Sequence, residues 1–251
     1  MLHFNHVTFQ YPEDQTPMIK DLSFHVGHGE FISVIGASGC GKTTIFRLIN
    51  KLLTPQSGTI LANGNDIKKL KNYAGYMPQK DLLFPWRTIE KNLWLPMELR
   101  KLPKSVMAEK AETILEEIGL LSYKDKYPKD LSGGMRQRIS FARTLLTESE
   151  LMLLDEPFSA LDSLTKMSMQ EWLLKQWEHF HKTIMFITHD VEEAIFLSGK
   201  IFVITETPIT KLEIIEVPLT YPRERSQLKN AEIVDLKEQL IAKLKAQVML
   251  S

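Results

Sequence analysis

The chain has 251 residues, of which 43% are hydrophobic, so it can bury a substantial core as one domain with an inserted lobe. Lys+Arg and Asp+Glu both number 31, which excludes a strong field for drawing in nucleic acid or an anionic membrane. The single cysteine excludes a disulfide framework and predicts a reducing compartment. The apolar runs are strand-sized and the N-terminal residues do not resemble a signal peptide, so we expect no transmembrane segment in this chain.

Two kinds of strand are predicted. Apolar residues at every second position between residues 2 and 26 predict half-buried antiparallel strands joined by a turn near Pro12. Near-continuous apolar runs at residues 31–35, 151–154, 184–187 and 201–204 predict parallel strands covered on both faces. Helical patterns separate these runs, so the predicted fold class is α/β.

A helical lobe is predicted at about residues 85–147, inserted into the α/β core. Residues 89–118 have a helical pattern in which Ala111 and Leu115 point inward while Glu112 and Glu116 point outward. Pro96 is expected to kink or end the first of these helices.

The pattern changes after Pro218. Residues 219–251 are predicted to form a C-terminal helical extension with Asn230 as its N-cap. Its apolar stripe is expected to pack against its own domain, with a partner-binding tail as the alternative. The stripe consists of Ile233, Leu236, Leu240, Leu244 and Val248.

A glycine-rich segment follows the first central strand with the spacing G-x-x-x-x-G-K-[ST]. Such a loop points successive backbone N–H groups into one concavity at a helix N-terminus, which predicts a nucleotide polyphosphate site. Lys42 is expected to bind the β and γ phosphates and the Thr43 hydroxyl to ligate Mg²⁺. The binding residues predicted here are Gly36, Ala37, Ser38, Gly39, Cys40, Gly41, Lys42, Thr43 and Thr44.

Two carboxylates end the apolar run at residues 151–154, as a Walker B motif requires. Asp155 is predicted to hold Mg²⁺ through its water shell, and Glu156 to polarise the water that attacks the γ-phosphate. Either carboxylate alone could simply be a solvated residue at the end of a strand. Together with the phosphate loop, the pair is a strong indication of a Walker B motif.

A second anion-binding helix start is predicted at Ser132, Gly133 and Gly134. One nucleotide cannot use both helix starts, which favours a dimer in which this segment closes over the nucleotide of the other copy. The segment 131–138 resembles the ATP-binding cassette signature, and residues 2–218 as a whole resemble the ATP-binding domain of an ABC transporter subunit. The resemblance implies a P-loop NTPase (RecA-like) core with an N-terminal antiparallel β subdomain and an inserted α-helical subdomain.

Further site residues are carried over from this resemblance. Tyr11 matches the aromatic residue that stacks on adenine, and Gln79 matches the Q-loop glutamine that senses Mg²⁺ and the attacking water. Residues 159–162 match the D-loop, and His189 matches the switch histidine at the γ-phosphate. Taken singly, each is more often structural, for example a packed tyrosine, a loop glutamine or a helix N-terminal turn.

The segment 81–89 is similar to the importer branch for nitrate, sulfonate, taurine and thiamine precursors. Phe84 and Trp86 are large apolar groups on a predicted loop, either tucked into the lobe or presented to a partner. We favour the partner, because the family docks its membrane subunit there.

The sequence therefore predicts an ATPase subunit of an ABC importer, working as a homodimer around ATP and Mg²⁺ at the cytoplasmic face of the membrane. The implied partners are integral membrane permease subunits and, indirectly, an extracytoplasmic solute-binding protein, with no nucleic acid. A soluble ABC ATPase not tied to transport is the alternative, although no coiled-coil insertion or basic extension supports it. A P-loop kinase or GTPase would leave the signature and His189 unexplained.

Overall fold

The structure is a computed structural model that describes residues 1–250, apart from the side chains of Phe180 and residues 248–250. The chain forms two compact units. The first contains Met1–Tyr73 together with Leu174–Ser251, and the second contains Ala74–Leu173.

The first unit begins with an antiparallel sheet. Its strands, in spatial order, are β2 (Ile19–Val26), β1 (Leu2–Phe9), β4 (Ser57–Ala62) and β5 (Asn65–Asp66). Leu2 pairs with Val26 and Phe4 with Phe24, so alternate side chains share the buried face. The predicted antiparallel N-terminal strands are confirmed.

The first unit also contains a set of parallel strands. Strand β3 (Phe31–Ile35) lies between β8 (Thr183–Ile187) and β9 (Lys200–Val203) and is parallel to both, while β10 (Glu213–Glu216) is antiparallel to β9. Every residue of β3 and β8 is buried, as expected for strands covered on both faces. Helix α1 (Lys42–Ile49) follows β3, and α6 (Val191–Leu197) follows β8.

The second unit carries the predicted helices. Parallel strands β6 (Ala74–Met77) and β7 (Leu151–Asp155) accompany α2 (Ile89–Leu99), α3 (Lys104–Glu117) and α4 (Gly133–Leu145). Helix α2 does not end at Pro96 but continues to Leu99, because Leu93 and Met97 on either side of the proline are fully buried. Helix α5 (Ser163–Phe180) runs from this part of the chain into the first unit.

The C-terminal helix α7 (Ala231–Leu250) starts directly after Asn230, whose carbonyl accepts hydrogen bonds from the first turn. Ile233 and Leu240 on the predicted stripe are buried in a cluster with β9 and α6, and Leu236 and Leu244 pack against it. The stripe therefore packs on its own unit, as expected, while the side chain of Val248 lies outside the described residues. None of the helices in residues 1–250 combines the length and apolar character needed to cross a bilayer.

Candidate functional site

The phosphate loop connects β3 to α1 in the first unit. Two glycines allow the backbone of this loop to turn tightly. A Cβ at Gly36 would lie 2.7 Å from the Cys40 sulfur, and Gly41 has a φ of 103° at the N-cap of α1. Because Gly41 has no side chain, the first N–H groups of α1 have no side-chain cap and can bind an anion.

Lys42 is held over this loop. Its side chain is 9% exposed, and Nζ donates to the carbonyl oxygens of Gly36 and Ala37, each at 2.8 Å. The ammonium is therefore oriented by the loop itself. Ser38 and Gly39, at the tip, are exposed to solvent.

Cys40 fills the inside of the loop and is buried. Burial raises the pKa of its thiol, partly offset by the nearby Lys42 charge and a hydrogen bond with Gln247. The residue is therefore a protonated, loop-filling thiol at neutral pH rather than a nucleophile.

Tyr11 lies beside helix α1. Its hydroxyl is 3.0 Å from Thr44 Oγ1, and its ring packs edge-on against Phe9 with centroids 4.9 Å apart. Both the ring and Thr43 are half-buried, so each remains reachable from solvent. The structure thus brings Tyr11 to the helix that follows the phosphate loop.

His189 follows strand β8 and is exposed. The surrounding turn is fixed by its neighbours. Thr188 donates to the Glu193 carboxylate, and the Asp190 carboxylate caps α6 by accepting from the N–H groups of Glu192 and Glu193. The strand end and the helix cap together hold the histidine at the carboxyl edge of the sheet.

The second unit brings together Gln79 and Glu156, two of the three predicted hydrolytic residues, whereas His189 belongs to the first unit. Asp155, 3% exposed, ends strand β7, and Glu156 follows with a φ of 49°. Gln79, which follows β6, donates from Nε2 to the Glu156 carboxylate at 2.9 Å. These residues are far apart in the sequence but hydrogen-bonded in the structure.

Gln137 supports this arrangement and was not assigned a role from the sequence. Its Nε2 donates to the Glu156 carbonyl at 3.1 Å and to the Ser159 hydroxyl at 3.3 Å, while its Oε1 accepts from the N–H of Ala160 at 2.8 Å. The residue is 4% exposed. Helix α4 thus braces the turn that carries Glu156. A single glutamine in this helix carries no local sequence signal for such a role.

The signature residues start the same helix. Ser132 is the N-cap of α4, and its hydroxyl accepts from the N–H of Met135 at 3.3 Å. Ser132 and Gly133 are exposed, whereas a Cβ at Gly134 would lie 3.2 Å from Leu161. The helix start therefore faces solvent with its serine already oriented.

The D-loop segment leads into α5. The Asp162 carboxylate accepts from the N–H of Thr165 at 3.0 Å. A hydrogen bond from the Thr165 side chain, and after it this backbone hydrogen bond, lowers the pKa of Asp162. Asp162 is thus a helix cap, as the structural interpretation of this segment expected. Beyond it, Leu164 is 77% exposed and Met167 is 40% exposed.

The segment after Gln79 is tied to helix α4. Arg136 Nε donates to the Asp81 carboxylate at 3.1 Å, and the Arg143 guanidinium donates to the carbonyls of Asp81 and Leu82 at 2.8 and 2.9 Å. Arg136 lies in the segment 131–138 that resembles the signature. The structure gives it a partner in the loop.

Asn92 organises the rest of this loop. It is fully buried and accepts from the N–H of Phe84 at 2.7 Å. Its Nδ2 lies within 3.1 Å of the carbonyls of Phe84, Arg87 and Thr88. Nothing in the local sequence pattern pointed to this residue.

Trp86 projects from the loop held by Asn92. It is 72% exposed and stacks on the half-buried Phe84 with ring centroids 5.2 Å apart. Leu82, 60% exposed, and Leu99, 72% exposed, are further apolar residues at the surface of this unit. Of the two interpretations of Trp86, burial in the lobe is therefore wrong.

The predicted magnesium ligands offer hydroxyl, amide and carboxylate oxygens from Thr43, Gln79 and Asp155, the hard donors that Mg²⁺ prefers. Within residues 1–250, no three carboxylate, imidazole or thiol groups converge as a metal site. In nucleotide sites, Mg²⁺ usually completes its shell with water and substrate phosphates.

The fold and the motifs define a P-loop ATPase of the α/β class. Residues 19–159 match the family model described as ABC transporter. The chain belongs to the ABC transporter family, as an ATP-binding subunit of the importer branch that couples ATP hydrolysis to transport.

Two curated relatives illustrate that branch. The formylaminopyrimidine import ATP-binding protein ThiZ of Halalkalibacterium halodurans is 43% identical over 218 residues, which cover 87% of this chain and 85% of that protein. The aliphatic sulfonates import ATP-binding protein SsuB of Bacillus cereus is 38% identical, covering 86% of this chain and 85% of that protein.

Solved structures share the fold. The dimeric ATP-binding cassette MJ0796, in a post-hydrolysis state bound to ADP and Pi, superposes with a TM-score of 0.79 at 25% identity, covering 88% of this chain and all (100%) of that one. CbiO1 of Clostridium perfringens, part of the ABC transporter complex cbiONQ, has a TM-score of 0.76 at 23% identity, covering 100% of this chain and 98% of that chain. The predicted fold class is confirmed.

Proposed function

We propose that this subunit binds two ATP molecules between two copies of itself and uses their hydrolysis to drive solute uptake through a membrane permease. The observation that carries the proposal is the hydrogen bond between Gln79 and Glu156, which joins two separately predicted hydrolytic residues at 2.9 Å.

The phosphate loop is the proposed binding element. Residues 36–44 would cradle the phosphates with backbone N–H groups other than that of Ala37, which donates to Gln247. Lys42, already oriented over the loop, would neutralise the β and γ phosphates. Tyr11 would stack on the adenine. Bound Mg²⁺ would neutralise phosphate charge, with Thr43, Gln79 and Asp155 as its protein ligands.

Glu156 is the proposed general base. Its carboxylate is held by Gln79 and its backbone by Gln137, so its position is fixed before any water arrives. A positioned carboxylate can accept the proton of the attacking water as the oxygen bonds to the γ-phosphorus. His189 would contact the γ-phosphate and respond to its loss.

The signature is proposed to act on the nucleotide of the other copy. Ser132, Gly133 and Gly134 begin a helix whose exposed N-terminus suits an anion, and the phosphate loop already provides one such start. The similar cassette MJ0796 is dimeric with ADP and Pi bound, which supports a homodimer here.

The surface around Trp86 is the proposed permease contact. An exposed aromatic residue on a loop fixed by buried hydrogen bonds has the properties of an interface anchor. The chain would then lie peripherally at the cytoplasmic face of the membrane, linked only indirectly to an extracytoplasmic solute-binding protein. Residues 1–218 would form the ATP-binding domain, with the helical subdomain at about 85–147 and an extension at 219–251.

The solute is proposed to be a small organic or inorganic anion or a thiamine precursor, from the set nitrate, sulfonate, taurine and thiamine precursor. The support is the similarity to proteins named for formylaminopyrimidine and aliphatic sulfonate import. Purification of the assembled transporter, followed by ATPase assays with each solute and its binding protein, tests this choice directly.

A nucleotide titration tests the central assignment. Lys42→Ala should abolish ATP binding or nearly so, because the phosphates lose their fixed cation. Lys69→Ala, which removes an exposed lysine of the same unit, is the matched control. Normal ATP affinity in Lys42→Ala would overturn the phosphate-loop assignment.

A further inference from the structure

The C-terminal helix contacts the phosphate loop. The backbone N–H of Ala37 donates to the side-chain Oε1 of Gln247 at 2.9 Å, across 210 positions of sequence. Both residues belong to the first unit. Gln247 lies in the extension beyond residue 218, outside the motifs of the nucleotide site.

Gln247 and Lys42 hold opposite edges of one peptide group. The carbonyl of Gly36 accepts from Lys42 Nζ at 2.8 Å, and the N–H of the same peptide, that of Ala37, donates to Gln247. In a trans peptide these two groups point in opposite directions, so the bonds restrain rotation of the plane between them. Each hydrogen bond also polarises the peptide group, which strengthens the other hydrogen bond.

The helix that carries Gln247 is itself anchored. Leu240 is fully buried, and the ammonium of Lys243 pairs with Glu213 on β10 at 2.5 Å. Ahead of the helix, the buried Arg223 donates to the carbonyls of Ile195 and Ser198 at 2.7 and 2.9 Å. Gln247 is therefore presented to the loop by a fixed element of the same unit.

We propose that Gln247 is a positioning residue for nucleotide binding, through which the C-terminal helix holds the phosphate loop in its binding conformation. This rests on the proposed function of that loop. Without the amide, the empty loop samples other conformations, and the apparent affinity falls with the fraction of competent loop. Gln247 contacts none of the reacting groups, so it acts on binding rather than on the chemical step.

The first test is a nucleotide titration of the full chain. Gln247→Leu removes the acceptor at nearly constant size, and Gln247→Asn withdraws the amide by one methylene. For each, Kd and KM for ATP should rise by about fivefold, the scale of one net hydrogen bond, with kcat little changed. Gln239→Leu makes the same chemical change on the exposed side of the same helix and should leave Kd unchanged.

The second test needs no nucleotide. Cys40 is the only cysteine and lies buried inside the loop, so the rate of its modification by a disulfide reagent reports on opening of the loop at that residue. Gln247 also hydrogen-bonds the thiol and lowers its pKa, so loss of that bond alone would slow the reaction rather than accelerate it. Both Gln247 variants should expose the buried thiol and accelerate its modification several-fold, while Gln239→Leu should match the wild type. Thermal melts of all the variants check that the fold is intact.

The outcomes separate the two proposals. Unchanged Kd in the Gln247 variants overturns the positioning role, and unchanged Cys40 reactivity overturns the bracing of the loop. If Lys42→Ala and the wild type bind ATP equally, the proposed function fails instead, and the thiol assay still decides whether Gln247 holds the loop.

Discussion

Glu156 has a backbone conformation that fits its proposed role. A φ of 49° is uncommon for a residue with a side chain and is sustained only when the surroundings impose it. Here the surroundings are Gln79 on the carboxylate and Gln137 and Ser159 on the carbonyl. The contacts around the turn after β7 therefore maintain a strained backbone conformation that orients the Glu156 carboxylate.

Glu156→Gln should retain ATP binding and slow hydrolysis by roughly 10²-fold or more, the usual loss when a positioned base is removed. The amide keeps the shape of the side chain but cannot accept the proton of water. Steady-state phosphate release and a nucleotide titration measure the two effects. Glu116→Gln, on the exposed face of α3, serves as control and should behave as wild type. Unchanged turnover in Glu156→Gln would contradict the role of base.

Asn92→Leu should destabilise the protein by about 2–3 kcal/mol, because the three carbonyls around its Nδ2 and the N–H of Phe84 would lose buried partners. For a chain of this size that is a fall in Tm of several degrees. Asn92→Asp keeps the acceptor but loses the donor, and should also melt early. If both variants melt at the wild-type temperature, Asn92 does not organise the loop.

At the scale of elements, the C-terminal extension depends on one buried arginine. Arg223 is 8% exposed, and its guanidinium donates to carbonyls of α6 and of the segment that follows β10. Beside it, burial raises the pKa of Tyr221 to about 12, so its hydroxyl stays protonated and donates to Leu197. The hydrogen bonds of Arg223 and Tyr221 therefore attach the extension to α6 ahead of α7.

Arg223→Met should cost about 3 kcal/mol, since charged hydrogen bonds to several carbonyls disappear and those carbonyls remain buried. Lys229→Met, on the exposed end of the same extension, is the matched control. Thermal melts and hydrogen exchange of residues 231–250 measure the effect. Equal melting of the two variants would show that the apolar stripe alone holds the helix.

The elements that the sequence predicts well are those specified by local pattern. The alternation in β1 and β2, the apolar runs of β3 and β8 and the stripe of α7 each follow from residues near one another in the chain. The motifs are found in the same way. Asn92, Gln137 and Gln247 were missed because a single polar residue carries no local pattern, and its role depends on partners that only the folded chain brings near.

Trp86→Ala should leave the melting of the isolated subunit unchanged and abolish its association with membranes that contain the permease. The ring is 72% exposed, so truncation removes little of the core, whereas a buried interface anchor is worth about 2 kcal/mol or more. Trp94→Ala, in the same unit but 8% exposed, should instead cost about 3–5 kcal/mol. A large fall in Tm for Trp86→Ala would remove this surface as the docking site.

At the scale of the whole molecule, the net charge gives no long-range attraction to a partner. With 31 basic and 31 acidic residues the formal charges balance, so local contacts would have to supply the recognition in the proposed assembly. The exposed apolar residues Trp86, Leu99 and Leu164 are candidates for such contacts. A dimer would also explain why one chain carries two helix starts suited to phosphate.

Ser132→Arg tests the dimer. The arginine fills the exposed helix start and removes the N-cap hydroxyl, so hydrolysis should be lost. ATP binding to the isolated subunit should persist, because in the proposed dimer the signature contacts the nucleotide of the other copy. Ser105→Arg, the same change at the exposed start of α3, should stay active. Mixing Ser132→Arg with Lys42→Ala protein should restore part of the activity, since the mixed dimer keeps one site with an intact phosphate loop facing an intact signature. Loss of ATP binding by the Ser132→Arg monomer, or a mixture as inactive as its components, would show that the signature serves its own nucleotide.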